Sequence, residues 1–332
     1  MKNRFSKVLV SVLAISLVMG SLFIGVGRSE AADKKINLSI CGGSIGGAWA
    51  AIGEGIGEVI RRTYPGSNTA YEVGQEAANL ALVSKGKIEL GIAHAQLIKV
   101  GMDGKAPFKE KYGNLRALCV LYGEAVEHFV IRGDAGITNF EQIKNKMYPL
   151  KVNFNTKDSF MEIVGRETLK AYGITYDDLK KWGGTVNFMS MGPSLDLMRD
   201  GKIQAYSNVI QVPSSHIVDV STNVKLTMLP MSVDARKQVN KELGTYSTVI
   251  PKSKYNFLKS DVPTVGATVV LFTNTDLSDE DAYAVLASIK KNFDYFRNIH
   301  SSLKGLTFAE MAKTSPVPLH PGAKKFFKEN PK

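Results

Sequence analysis

Two stretches of the chain, 115 residues apart, repeat one another. Residues 79–96 read NLALVSKGKIELGIAHAQ and residues 194–211 read SLDLMRDGKIQAYSNVIQ. Without a gap, Leu80, Leu82, Gly86, Lys87, Ile88 and Gln96 coincide with Leu195, Leu197, Gly201, Lys202, Ile203 and Gln211. Each copy runs an apolar helical stretch into Gly-Lys, a common helix end, and then into an apolar strand. The match extends outward, with residues 70–73 falling on residues 186–189. A chain that builds one βαβ unit twice makes two similar lobes. Ligands of open parallel sheets sit beyond the carboxyl ends of the strands, so two lobes placed face to face enclose a cleft lined by equivalent loops. On this reading Gln96 and Gln211 stand at equivalent strand ends, one on each wall.

The rest of the pattern agrees. Residues 36–41 read as a first strand, followed by the turn Gly42-Gly43-Ser44-Ile45-Gly46-Gly47. A helix then carries Trp49, Ile52, Ile56, Val59 and Ile60 at spacings of three and four. Tyr64-Pro65-Gly66-Ser67 ends it, residues 70–73 form strand two, residues 80–83 belong to a short helix, and residues 90–93 form strand three. In the second half the matching strand covers residues 151–154. The 332 residues suit two domains at roughly 100 to 200 each, and no Gly- or Pro-rich linker divides them.

The first 31 residues are different in kind. Lys2, Arg4 and Lys7 precede an uncharged run over residues 8–26, and Ser29-Glu30-Ala31 offers small residues at the positions a signal peptidase reads. A cleaved signal peptide of residues 1–31 and a periplasmic location are expected; Ser11, Ser16, Gly20 and Ser21 interrupt the run and argue against a membrane anchor. Removing the leader takes away four basic residues and Glu30, so the formal charge falls from +11 to +8. A basic protein suits an anionic ligand. No zinc finger, RNP-like aromatic motif or arginine-rich segment points to nucleic acid.

The loops supply the candidate site. The glycine turn lies between a strand and a helix N-terminus, where unpaired N–H groups favour an anion, which nominates Ser44, Ile45, Gly46 and Gly47. It lacks the spacing of a dinucleotide fingerprint or a P-loop. Its counterpart in the second half is Asn155-Thr156-Lys157-Asp158-Ser159, where either Asp158 or Ser159 is the helix N-cap and Lys157 is a cation for a carboxylate. Gly74-Gln75-Glu76, with Asn79 on the helix that follows, pairs with Ser190-Met191-Gly192. His94 and Gln96 close the third strand of one half, and Asn208 and Gln211 that of the other; amides both donate and accept, which suits a ligand bearing carboxylate and hydroxyl or keto groups. His128, His216, His300 and His320 show no metal spacing. No G-x-S-x-G elbow stands in a strand-turn-helix setting. The expectation is a binding protein without metal, cofactor or catalytic machinery.

Over about residues 36–330 the sequence resembles the solute receptors of the TAXI branch of tripartite ATP-independent periplasmic (TRAP) transporters. The resemblance is carried by the first-strand glycine loop and its helix, Asn114-Leu115-Arg116-Ala117-Leu118, Asp134-Ala135-Gly136-Ile137, Asp200-Gly201-Lys202-Ile203-Gln204-Ala205, Asp261-Val262-Pro263-Thr264-Val265-Gly266 and Val317-Pro318-Leu319-His320-Pro321-Gly322-Ala323. It implies an α/β, type II periplasmic binding protein fold of two βαβ lobes around a ligand cleft. Lobe I would comprise residues 32–128 and 229–332, and lobe II residues 129–228. It further implies a monomeric receptor that hands a small organic acid or amino acid to the membrane permease of a TRAP transporter. A receptor for an ATP-driven importer, or an enzyme on the same two-lobed fold, are the alternatives. The sequence departs from the family in its Cys41-Gly42-Gly43-Ser44 start and its Asn155-Thr156-Lys157-Asp158-Ser159 loop. The implied sheet order also separates Cys41 from Cys119 by at least two strands, so both thiols are expected to stay reduced despite export.

Overall fold

The structure is a computed structural model, and it describes residues 34–331. The leader assigned to residues 1–31 lies outside the described residues. Among the described residues ten strands join in one curled sheet in the order β2-β1-β3-β10-β4-β7-β5-β6, with β9 added to β10 and β8 to β4. The strands are β1 (Asn37–Gly42), β2 (Asn68–Val73), β3 (Leu90–His94), β4 (Leu115–Arg132), β5 (Lys151–Phe154), β6 (Thr185–Phe188), β7 (Ala205–Ile210), β8 (Leu226–Met228), β9 (Tyr246–Ile250) and β10 (Val262–Asn274).

The sheet is two copies of one pattern joined in the middle. β1 lies parallel between β2 and β3, and β5 lies parallel between β6 and β7. The two long strands cross from one half to the other. β10 runs antiparallel to β3, β4 runs antiparallel to β7, and β4 and β10 pair with each other. The fold is therefore the type II periplasmic binding fold, with two α/β lobes. The 115-residue offset holds element by element. Helix α2 (Glu76–Ser84) maps onto α7 (Met191–Arg199), and β3 onto β7. Gly86 and Gly201 both take the left-handed conformation, φ 63° and 70°, that ends such a helix. β6 ends at Phe188 rather than at residue 189, so the constant offset reaches this strand too.

β4 extends beyond the strand read over residues 115–122. Exposed Gly123 and Glu124 interrupt its apolar run, which then resumes. Before this break β4 pairs with β10; just after it Ala125 and Val126 still pair with β10, and from Val126 onward the strand pairs with β7, while the β10 register shifts between Ala267 and Val269 at the same level. The polar interruption thus marks the crossing between lobes.

Helix α1 (Ala48–Thr63) buries Trp49, Ile52, Ile56, Val59 and Ile60 against this sheet, and Arg61 and Arg62 complement the negative end of its dipole. Gly53 makes room on it for the ring of Tyr71, to which a Cβ would approach within 2.4 Å.

Cys41 and Cys119 are both free and buried. Cys41 stands beside Gly91 of β3, Gly91 beside Phe272 of β10, and β10 beside β4, so two strands separate the thiols. Three steps of ~4.8 Å put their Cα atoms on the order of 14 Å apart, beyond the reach of a disulfide. Burial pushes the Cys41 thiol up to about 12 and raises Cys119 as well. Alkylation in denaturant without reductant is expected to add two groups per chain by intact mass; none added would require a disulfide and another strand order.

Candidate functional site

A cavity of about 600 Å³ opens between the two halves of the sheet. The first half contributes the turn from Gly43 to Gly47, the start of α1, Tyr71, Val73 and Gly74 to Glu76. The second half contributes Asn155, Thr156, Met161, Ser190, Met191 and Asn208 to Gln211, and Ser215, His216 and His300 complete the lining. A smaller cavity of about 370 Å³ shares Tyr122 and Gln211 with it.

The glycine turn is held from behind. Gly47 N–H donates to Ser44 O at 3.1 Å, and Gly46 takes φ 83°. Tyr71 Oη donates to Gly43 O at 2.8 Å, and Asn79 Nδ2 donates to Gly42 O at 2.8 Å. Carbonyls are thus used on the protein side of the turn, while Ser44, Ile45 and Gly46 remain exposed. Gly47, Gln75 and Ser190 occupy the N-cap positions of α1, α2 and α7, and none of them makes a side-chain cap bond. All three starts line the cavity. By contrast α4 (Phe140–Asn145), α5 (Phe160–Ala171), α6 (Tyr176–Lys181), α9 (Val233–Leu243) and α10 (Asp279–Lys291) are capped by Asn139, Ser159, Thr175, Ser232 and Ser278. Uncapped N–H groups facing a cavity are donors left for a ligand.

Of the residues nominated from sequence, Ser44, Ile45, Gly46, Gly47, Gly74, Asn155, Asn208 and Gln211 line this cavity. Asn155 Nδ2 donates to Asn208 Oδ1 at 3.2 Å, so the two amides are fixed together. The remaining nominees have other surroundings. Asn79 is buried and ties the glycine turn. Gln96 is buried, and its Oε1 accepts from Thr268 N–H. Ser159 caps α5 by accepting from Glu162 N–H at 3.2 Å. Asp158 takes φ 61°, donates its N–H to the Glu162 carboxylate and is not the N-cap; Lys157 is exposed and outside the lining.

His94 lies beneath the site. Its Nδ1 is 2.9 Å from Glu76 Oε1, and its ring packs between Trp49 and Phe160, with centroids 5.3 and 4.9 Å away. Trp49 Nε1–H donates to Tyr122 Oη at 2.8 Å. The aromatic wall of Trp49, Tyr71 and Tyr122, and the two histidines at the rim, were not singled out as ligand contacts in the sequence, because they come from segments far apart in the chain. Ser302 N–H donates to His300 Nδ1 at 3.2 Å, which leaves Nε2 to carry the proton of the neutral ring. Burial and the neighbouring His216 lower its pKa.

The charge of the lining is unexpected for a chain this basic. Among the described residues lining the cavity there is no Lys or Arg, whereas Glu54 and Glu76 are present. The cationic surplus faces elsewhere. Among the described residues, no helix is long and apolar enough to cross a membrane, and no cluster of three potential metal ligands occurs.

The fold is shared with solved structures of low sequence identity. MatC from Rhodopseudomonas palustris, solved with bound malate, superposes with a TM-score of 0.57 at 13% identity, covering 89% of this chain and 97% of that one. PhnD1 from Prochlorococcus marinus, in complex with methylphosphonate, gives a TM-score of 0.54 at 10% identity, covering 89% and 98%. The NMT1-like family matches over residues 40–330, nearly the whole described chain, and the protein belongs to that family.

Proposed function

We propose that the protein is a periplasmic solute receptor. It binds a small organic anion, a carboxylate or an amino acid, between lobe I (residues 32–128 and 229–332) and lobe II (residues 129–228). It then delivers the ligand to the permease of a TRAP-type secondary transporter. The observation that carries this reading is the interlobe cavity into which three uncapped helix starts and the Ser44 turn open. The amides of Asn155, Asn208 and Gln211 on the opposite wall suit the polar remainder of such a ligand. The malate and methylphosphonate bound by the two relatives in fold are small anions, in keeping with this class. The transporter type rests on the sequence resemblance.

A thermal-shift screen of the purified protein against organic acids and amino acids tests the reading. A ligand at 100 times its dissociation constant is expected to add about 2.7 kcal/mol. Ser44→Ala is expected to weaken the best ligand by about 1 to 3 kcal/mol, the range for a lost bond to a charged group. Lys157→Ala, outside the lining, is expected to leave affinity within about twofold, since surface changes rarely exceed ±0.5 kcal/mol. Absence of any stabilising ligand would remove the receptor reading, and unchanged affinity in Ser44→Ala would remove the turn from the site.

A further inference from the structure

The two lobes are alike in construction but not in how they treat their first helix. In lobe I the start of α1 has no side-chain cap and opens into the cavity. In lobe II the corresponding helix α5, which follows β5 as α1 follows β1, already has a carboxylate at its start. Glu76, from the other lobe, accepts the Phe160 N–H at 2.9 Å through Oε2. The same side chain accepts the His94 N–H at 2.7 Å through Oε1, with His94 Nδ1 2.9 Å away. Glu76 is 3% exposed, His94 1% and Phe160 0%. Four lone-pair sites of a carboxylate meet three protein donors, in the position where a helix N-terminus attracts an anion.

The 115-residue repeat shows that this is a departure from symmetry. Glu76 is the first residue of α2, and its counterpart at the first position of α7 is Met191, which carries no charge. Of the two facing helix starts, one is filled by the protein's own anion and the other is left open. Both Glu76 and Met161, the residue after Phe160, line the cavity, so the filled seat borders the ligand's space. With no Lys or Arg in the described lining, a second ligand charge there meets a carboxylate and no cation, and a charge held in a partly dry site without a partner is costly.

We propose that Glu76 is a specificity-determining residue: a built-in anion that occupies the second lobe's anion seat, so that the cleft accepts ligands with at most one negative charge. This rests on the receptor reading above and narrows it to monocarboxylates and zwitterions. Dicarboxylates and phosphonate dianions are excluded.

The test has two arms. In the first, calorimetry compares matched pairs, butyrate with succinate and benzoate with phthalate, on the wild type, Glu76→Ala and Glu76→Gln. The wild type is expected to favour each monoanion by about tenfold or more. Both variants are expected to shift that ratio toward the dianion by a similar factor. A wild-type protein that binds the dianion more tightly, or variants with an unchanged ratio, would overturn the proposal while leaving the receptor reading in place. Glu76→Gln keeps the volume of the side chain and serves if Glu76→Ala does not fold. The second arm needs no known ligand. Glu76→Ala vacates a space the size of acetate, so acetate is expected to raise its melting temperature, while acetamide, of the same shape but neutral, is not, and neither is expected to affect the wild type. If no carboxylate binds the wild type, the receptor reading falls and this arm decides the inference: rescue by acetate alone supports it, and no rescue, or equal rescue by acetamide, overturns it.

Discussion

Glu127→Gln is expected to make the protein more stable than the wild type at pH 8 by about 3 kcal/mol, with the difference vanishing below about pH 4.5. Glu127 sits on β4 inside the second half of the sheet, 1% exposed. Thr168 Oγ1 donates to its Oε2 at 2.7 Å and Ser207 Oγ to its Oε1 at 3.2 Å, but among the described residues no cation is paired with it. Burial pushes this carboxyl from an ordinary 4.5 up to about 7, against the smaller opposing effect of the two hydroxyls. A raised acid pKa means that the folded state binds the proton more tightly than the unfolded chain. The stability it contributes is complete below 4.5, is lost as pH rises from 4.5 to 7, and stays lost above. A glutamine keeps the shape, accepts one hydroxyl bond and donates the other. It has no charge to desolvate.

The neighbouring His128 works in the opposite sense. Burial lowers it to about 4, so that it costs stability as pH falls from 6.5 to 4. That contribution is common to both proteins and largely drops out of the difference. Urea unfolding of both proteins across pH 4 to 9 measures the gap. A gap that does not widen with pH would mean that Glu127 is solvated or paired in solution.

The repeat made the architecture legible because helix, Gly-Lys and strand recur in one register, and the structure keeps that register from α2 to β7. The glycine turn was legible for a local reason: four glycines between a strand and an amphipathic helix have few other uses. Contacts between distant segments were not legible. The tie from Glu76 to Phe160 joins residues 84 apart, and local spacing places neither at the other's side. A glutamate opening a helix reads as an ordinary complement to that helix's own dipole, which conceals its bonding to another. Lys157 is the converse case. Its charge and loop position fitted a ligand contact, whereas its side chain is exposed and outside the lining, and the positive φ of its neighbour Asp158 has no sequence signal stronger than the modest tolerance of Asp for φ > 0.

Gly322→Ala is expected to cost about 2 to 3 kcal/mol, a loss typical of forced overpacking, although alanine is the better helix former. The Pro-Leu-His-Pro-Gly-Ala segment is the most distinctive motif of the sequence, and its residues dock the last helix, α13 (Pro321–Glu329), onto the sheet. Ala117 N–H donates to Pro318 O at 2.9 Å, and His320 N–H donates to Ala117 O at 2.9 Å, which fixes the segment to β4. His320 then caps α13 by accepting the Gly322 N–H at 3.2 Å, and Pro321 takes the first helical turn, where its missing N–H is not needed. At Gly322 the helix passes directly over the start of α10. A Cβ there would lie 2.2 Å from Asp279 O and 2.8 Å from its C and Cα. These are backbone atoms of a helix held by its own cap at Ser278, so no side-chain rotation relieves the contact. Either α13 lifts from α10 or the bonds to Ala117 lengthen. Gly305→Ala, where nothing lies within 4 Å of the added carbon, is the matched control and is expected to stay within about 0.5 kcal/mol of the wild type. Denaturant midpoints of the two variants decide it, and a Gly322→Ala midpoint indistinguishable from that of the control would show that this glycine is not required by packing.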